Sequence, residues 1–174
     1  MKPIPKRMRT RSGQALIEFS LMLPLLFLLI VNVINFGAMM YAWICVSNAS
    51  RTGVQYYITS GASVGAPAPP SAAAVRTLVV NDLHPLPNSA NAQVCVALST
   101  SVSWSCTPSA TAPAALPAAD SGEGAPAIVY PVGAVDVSYP YQPLIPLWEF
   151  PSLRIHATLP PTTVHRQAVM RVLQ

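Results

Sequence analysis

The sequence predicts an α+β chain: a long N-terminal helix that spans a membrane and projects beyond it, packed against a small antiparallel β-sheet. Three observations predict it. A basic leader runs directly into apolar sequence, with Lys2, Lys6, Arg7, Arg9 and Arg11 in residues 1–13 and no acid among them. From Gln14 to Ser50 one side chain carries a full charge, Glu18. The later sequence breaks into short β-prone runs separated by Pro-, Gly- and Ser-rich stretches.

Composition agrees with an anchored chain. Of 174 residues 52% are hydrophobic and only 9% charged, an unusual balance for a free soluble domain. The net charge of +4 belongs to the leader; the remaining residues hold five Lys/Arg and six Asp/Glu. No basic patch with interleaved aromatics appears, so nucleic acid is not an expected partner. The leader's cations keep that end cytoplasmic and send the rest across.

The apolar run is nearly continuous from Leu21 to Ile34, with Leu21, Pro24, Phe27 and Ile34 marking the anchor. About 20 apolar residues cross a hydrocarbon core of roughly 30 Å as a helix. The run exceeds the 7–15-residue apolar core of a removable signal, and no A-x-A-like cleavage site follows, so a retained anchor is expected. Pro24 can kink the helix. Asn32 and Asn35 are one turn apart, read either as local solvation or as contact with another membrane helix. Tyr41 and Trp43 suit the outer interface. Beyond it Trp43, Ile44, Val46, Ala49, Val54, Tyr57 and Ile58 continue at helical spacing, so the helix of residues 14–60 should project and pack on the exported part.

A linker follows at 61–74, then the exported domain at 75–174. Val75 to Leu83 reads as a short helix with Val75, Leu78, Val79 and Leu83 on its apolar face, ended by His84-Pro85. Ala92 to Leu98 and Ser101 to Cys106 read as a hairpin. Cys95 and Cys106 flank it. In an exported domain they should form a disulfide contributing about 2–3 kcal/mol, the rival reading being two free thiols. Cys45, on the helix, is expected to be a packed free thiol, with an intersubunit contact as the alternative. Residues 107–127 read as a mobile Ala/Pro/Ser/Gly-rich loop. Ile128 to Tyr141 and Leu153 to Leu159 are strand candidates, and Val164 to Leu173 a last strand or short helix. Pro140, Pro143, Pro146 and Pro151 confine the piece between to a turn or edge.

No catalytic constellation is expected, and no cofactor. Phosphate loops, nucleophile elbows and dinucleotide fingerprints are absent from the sequence. His84, His156 and His165 lie far apart, and no Cys-x-x-Cys supports a metal site. Asp136, between Val135 and Val137, reads as a solvated strand residue. Glu149, beside Trp148 and Phe150, reads as satellite packing or a partner contact. A pocket joining His156, His165 and an acid would reopen an enzymatic reading.

Residues Gly13-Gln-Ala-Leu-Ile-Glu-Phe19, followed by Leu23-Pro-Leu-Leu26, resemble the processing site and anchor of TadE/TadF-like minor pilins (pseudopilins) of the tight-adherence (Flp) pilus system. Val46-Ser-Asn-Ala-Ser-Arg-Thr-Gly53 resembles the family's Ala-Arg-x-Gly helical segment. Val135-Asp-Val-Ser-Tyr-Pro-Tyr141 with Pro143-Leu-Ile-Pro146, and Val169-Met-Arg171, resemble its closing strands. The resemblance implies cleavage by a prepilin peptidase after Gly13. Gln14 then becomes the first mature residue, Glu18 the fifth and Phe19 the sixth. It also implies residence in the bacterial inner membrane with the C-terminal domain periplasmic, other pilin and minor pilin subunits as partners, and no catalysis. Glu18 then has two readings, snorkelling to the headgroups or neutralising the new amine of Gln14. The alternative to the whole is an uncleaved, signal-anchored periplasmic binding module.

Overall fold

A computed structural model of the chain describes residues 12–59, 69–109, 111–121, 129–146, 149–150 and 155–172. Its first element, α1 (Ser12–Thr59), is a single 48-residue helix that includes Pro24. At 1.5 Å per residue it is about 72 Å long, more than twice a bilayer core. Its two halves have different surroundings. Every side chain from Gly13 to Ile30 is exposed, whereas Val31, Asn35, Ala42, Val46, Ala49, Ser50, Gly53, Val54 and Tyr57 are buried. The buried positions recur at three and four, the period of one helix face. Trp43 and Ile44, expected on that face, lie off it and are exposed.

The chain re-enters the described residues before α2 (Ala72–Asp82), three residues earlier than the sequence suggests. Ser71 caps it: extended at φ −65°, ψ 155°, its hydroxyl accepts from the Ala74 N–H. Val75, Val79 and Leu83 face the core, with Leu78 half-buried. A short 3₁₀ turn (Ser89–Asn91) follows Asn88, whose left-handed φ of 60° an asparagine tolerates.

Four strands make the main sheet: β1 (Gln93–Leu98), β2 (Ser105–Thr107), β5 (Val132–Tyr141) and β8 (Thr162–Arg171), in the order β2-β1-β5-β8 and antiparallel throughout. Two small ribbons add β3 (Asp120–Ser121) with β4 (Val129–Tyr130), and β6 (Glu149–Phe150) with β7 (Ile155–His156). Pro131 separates β4 from β5, because a proline cannot donate to a ladder. The last segment is thus a strand rather than a helix. The Leu153–Leu159 candidate contributes only β7, with residues 151–154 outside the described ones.

Val94 and Val96 of β1, Val135, Val137 and Tyr139 of β5, and Val164 of β8 alternate onto the face that meets α1 and α2. Two glycines allow the close approach. A Cβ on Gly53 would sit 3.0 Å from Val79 Cγ2 and 3.3 Å from Val135 Cγ1; one on Gly133 would sit 2.6 Å from Ile58 Cγ2. β5 therefore starts beside the far end of α1 and runs back along it until the Tyr141 hydroxyl donates to the Asn35 carbonyl, 2.8 Å away. The stretch expected to be a mobile loop is held at two described points. Trp104 Nε1 donates to the Ala115 carbonyl, and Asp120 pairs with Arg171. Residues 110 and 122–127 of that stretch lie outside the described residues.

Candidate processing and anchor site

The first half of α1 is apolar all round its circumference, and nothing in the fold covers it. Leu16, Ile17, Phe19, Leu21 and Phe27 are each at least 60% exposed. Such a helix is stable only where its surroundings are apolar. Among the described residues α1 is long and apolar enough to cross a membrane, which fits a membrane-anchored chain. All four anchor positions lie on this surface: Leu21, Pro24 and Phe27 within the bare half, and Ile34 on the uncovered side of the next turn.

Glu18 is the single charge in that half. The Gln14 side-chain amide donates to Glu18 Oε1 at 3.1 Å, a contact across one helical turn. The turn therefore brings the carboxylate beside the residue that cleavage would make the N-terminus. Gly13 stands one residue earlier, and a Cβ there would meet nothing within 4 Å. Packing does not demand a glycine at this position, although glycine in a helix costs about 1 kcal/mol relative to alanine. That sets it apart from Gly53 and Gly133, which packing explains.

Where the bare half ends, the β-sheet domain takes hold through polar groups. Asn35, fully buried, donates through Nδ2 to the Ile145 carbonyl at 2.9 Å. Its Oδ1 accepts from the Ile145 N–H at 3.1 Å. Asn32 Nδ2 donates both to the Leu28 carbonyl and to the Ala157 carbonyl, each at 3.0 Å. The two asparagines thus meet this chain's own irregular segments. The Asn32 bond to Leu28 is the local solvation expected from the sequence, whereas the bonds to Ile145 and Ala157 are unforeseen, since those partners lie more than 100 residues away. Coverage begins at Val31, about three turns before Tyr41 and Trp43.

Cys95 and Cys106 face each other in the β1–β2 register and are bonded. Cys45 is free and half-buried against the core. Asp136 is not solvated: it is 3% exposed, on a part of the sheet where Cys95 and Ala134 on the same side are buried too. His165 Nε2 stands 2.8 Å from its Oδ1 and 2.9 Å from Oδ2. The angles favour the bond to Oδ2 and leave buried Oδ1 without one. Burial pushes the Asp136 carboxyl above the ordinary carboxylate range, and His165 pulls it back only in part. Alternation alone could not reveal this, because it assumes that only one face of the sheet is covered. His84 is exposed, and the side chains of His156 and Glu149 lie outside the described residues. Among the described residues no three His, Cys, Asp or Glu side chains gather as a metal site requires.

Residues 13–55 match the family model described as TadE-like protein. The similarity is confined to α1. The match starts at Gly13 and ends just past Gly53, so it takes in the Gln14–Glu18 turn, the bare apolar half and the Ser-Asn-Ala-Ser-Arg-Thr-Gly segment. The C-terminal motifs lie outside it. No curated protein and no solved structure matches the chain.

Proposed function

We propose that this chain is a minor pilin or pseudopilin acting in assembly of a Tad (Flp) pilus, matured by a prepilin peptidase that cuts between Gly13 and Gln14. One observation carries the reading: a TadE-like helix whose side chains are all exposed from Gly13 to Ile30, with Glu18 as its single charge next to Gln14.

The leader's five cations hold the N-terminus in the cytoplasm, and the exported domain lies in the periplasm of a bacterial cell. The scissile bond lies in the first turn of α1, where helix ends open at little cost, and Gly13 lowers that cost further. Cleavage removes the cationic leader and leaves a single amine on Gln14, one turn from Glu18. The carboxylate then neutralises an amine at the membrane face, on its own chain or on a neighbouring subunit. The mature helix engages other pilin and minor pilin subunits through its bare apolar surface. The role is structural: Asp136 is buried against His165 rather than presented to a substrate, and no cofactor enters the proposal.

The test is the N-terminus of the membrane-extracted protein, read by mass spectrometry from cells with and without prepilin peptidase. A peptidase-dependent start at Gln14 is expected. A chain retaining Met1 to Gly13 in both cells would refute the proposal and leave an uncleaved, signal-anchored periplasmic module.

A further inference from the structure

We infer that the tip of the exported domain, around Pro143-Leu-Ile-Pro146, dips into the outer leaflet of the membrane that α1 crosses, so that the domain touches lipid as well as its own anchor.

The level follows from α1. A hydrocarbon core of about 30 Å takes about 20 helical residues. Begun at Gly13 it ends near Val33; begun at Glu18 it ends near Ala38. Asn35 lies inside that window, and its side chain holds both the N–H and the carbonyl of Ile145. Asn32, a turn deeper, holds Ala157. The membrane-proximal end of the sheet is therefore at the depth of the outer leaflet.

The chemistry of the tip suits that depth. Leu144, next to the Ile145 that Asn35 holds, is 58% exposed, and Val33 and Phe36 of α1 are exposed within two residues of Asn35, so helix and domain both present apolar surface at this level. The sequence carries no charge from Val137 to Trp148. Irregular backbone at membrane depth must find its partners within the protein. Here Pro140, Pro143 and Pro146 offer no N–H at all, and the Ile145 N–H and carbonyl are taken by Asn35. On an adjacent side, the Asn88–Gln142 hydrogen bond supplies a polar rim fit for headgroups.

This inference rests on α1 spanning the bilayer, and the experiment separates the two. Single cysteines replace Phe27, Leu144 or Val102 in the full chain carrying Cys45→Ser, each bears a nitroxide, and the protein is reconstituted at low density in phosphatidylcholine/phosphatidylglycerol vesicles. Collision with oxygen is compared with collision with a water-soluble nickel chelate. Val102, 97% exposed, follows β1 at the opposite end of the sheet and is the aqueous reference. The oxygen-to-chelate ratio at Leu144→Cys should be several-fold above that at Val102→Cys and approach that at Phe27→Cys. A Leu144→Cys label as open to the chelate as Val102→Cys, with Phe27→Cys still lipid-exposed, overturns this inference alone. A chelate-accessible Phe27→Cys label overturns the span as well. A Leu144→Cys label shielded from both reagents places protein, not lipid, over the tip and also overturns it.

Discussion

Replacing Asn35 with leucine tests whether polar contacts dock the β-sheet domain on α1. The substitution keeps the side chain's branched four-atom shape and removes the donor and the acceptor at once. Asn35 Nδ2 and Oδ1 bond the carbonyl and the N–H of the same residue, Ile145, at 2.9 and 3.1 Å, so both backbone groups lose their partner together. An unsatisfied buried group costs about 1–3 kcal/mol. Ile145 is 36% exposed, so solvent recovers part of the loss, and burying leucine where an amide was offsets a little more. The net expectation is about 2–4 kcal/mol. For a chain of this size each kcal/mol lowers Tm by about 2–4 °C, so Asn35→Leu should melt roughly 4–15 °C below the parent. Thermal unfolding of the full chain in mild detergent, followed by near-ultraviolet circular dichroism, reads it directly. Asn32→Leu is the internal comparison. It loses one long-range bond, to Ala157, and a local one to Leu28, and should cost about half as much. An unchanged Tm for Asn35→Leu, or a larger loss from Asn32→Leu, would refute the reasoning.

Two further substitutions probe the domain itself. Gly133→Ala forces a methyl to 2.6 Å from Ile58 Cγ2, on a β-branched side chain that cannot swing aside, and should cost about 1–3 kcal/mol by overpacking. In an Ile58→Ala background the same change should cost under about 0.5 kcal/mol, and an undiminished loss in that double-mutant cycle would rule out the clash. Asp136→Asn tests the buried carboxyl. Because burial raises its pKa, its favourable contribution is present in full below the unfolded value, near 3.9, and is lost as pH rises through the folded value. The asparagine variant should therefore gain Tm over the parent as pH rises from about 4 to 7, and a gap that stays constant or reverses contradicts this.

The legible parts of this chain were the ones written in local pattern. Charge asymmetry and the apolar run announced α1, helical spacing from Val75 and the His84-Pro85 stop located α2 but not its first turn at Ala72, and period-two alternation located β1 and β5. The Gln14–Glu18 turn was readable because four residues on a helix are neighbours by geometry alone. Other features are not written in local pattern, and two of them matter most here. Asp136 was misjudged because alternation tells which side of a strand a residue is on, not whether that side is covered. The partners of Asn32 and Asn35 escaped because β5 must run back along α1 before residues 110 and 125 positions distant can meet.

That return path explains why polar residues interrupt an apolar helix where they do. Below Val31 α1 needs no polar side chain, since its own backbone bonds are internal and its surface can face lipid. Above it the helix is the central element of a protein core, and apolar packing by Val46, Ala49, Val54 and Tyr57 suffices. At the junction neither solution works, because the turn joining β5 to the strands that follow brings irregular backbone against the helix with no ladder to satisfy it. A side-chain amide, which donates and accepts at once, can occupy both groups of a single peptide-chain residue, as Asn35 does for Ile145. A carboxylate at the same position could only accept and would bring a charge into a buried site, which costs more than an amide there. The asparagines mark the level at which one helix passes from a lipid environment to a protein one.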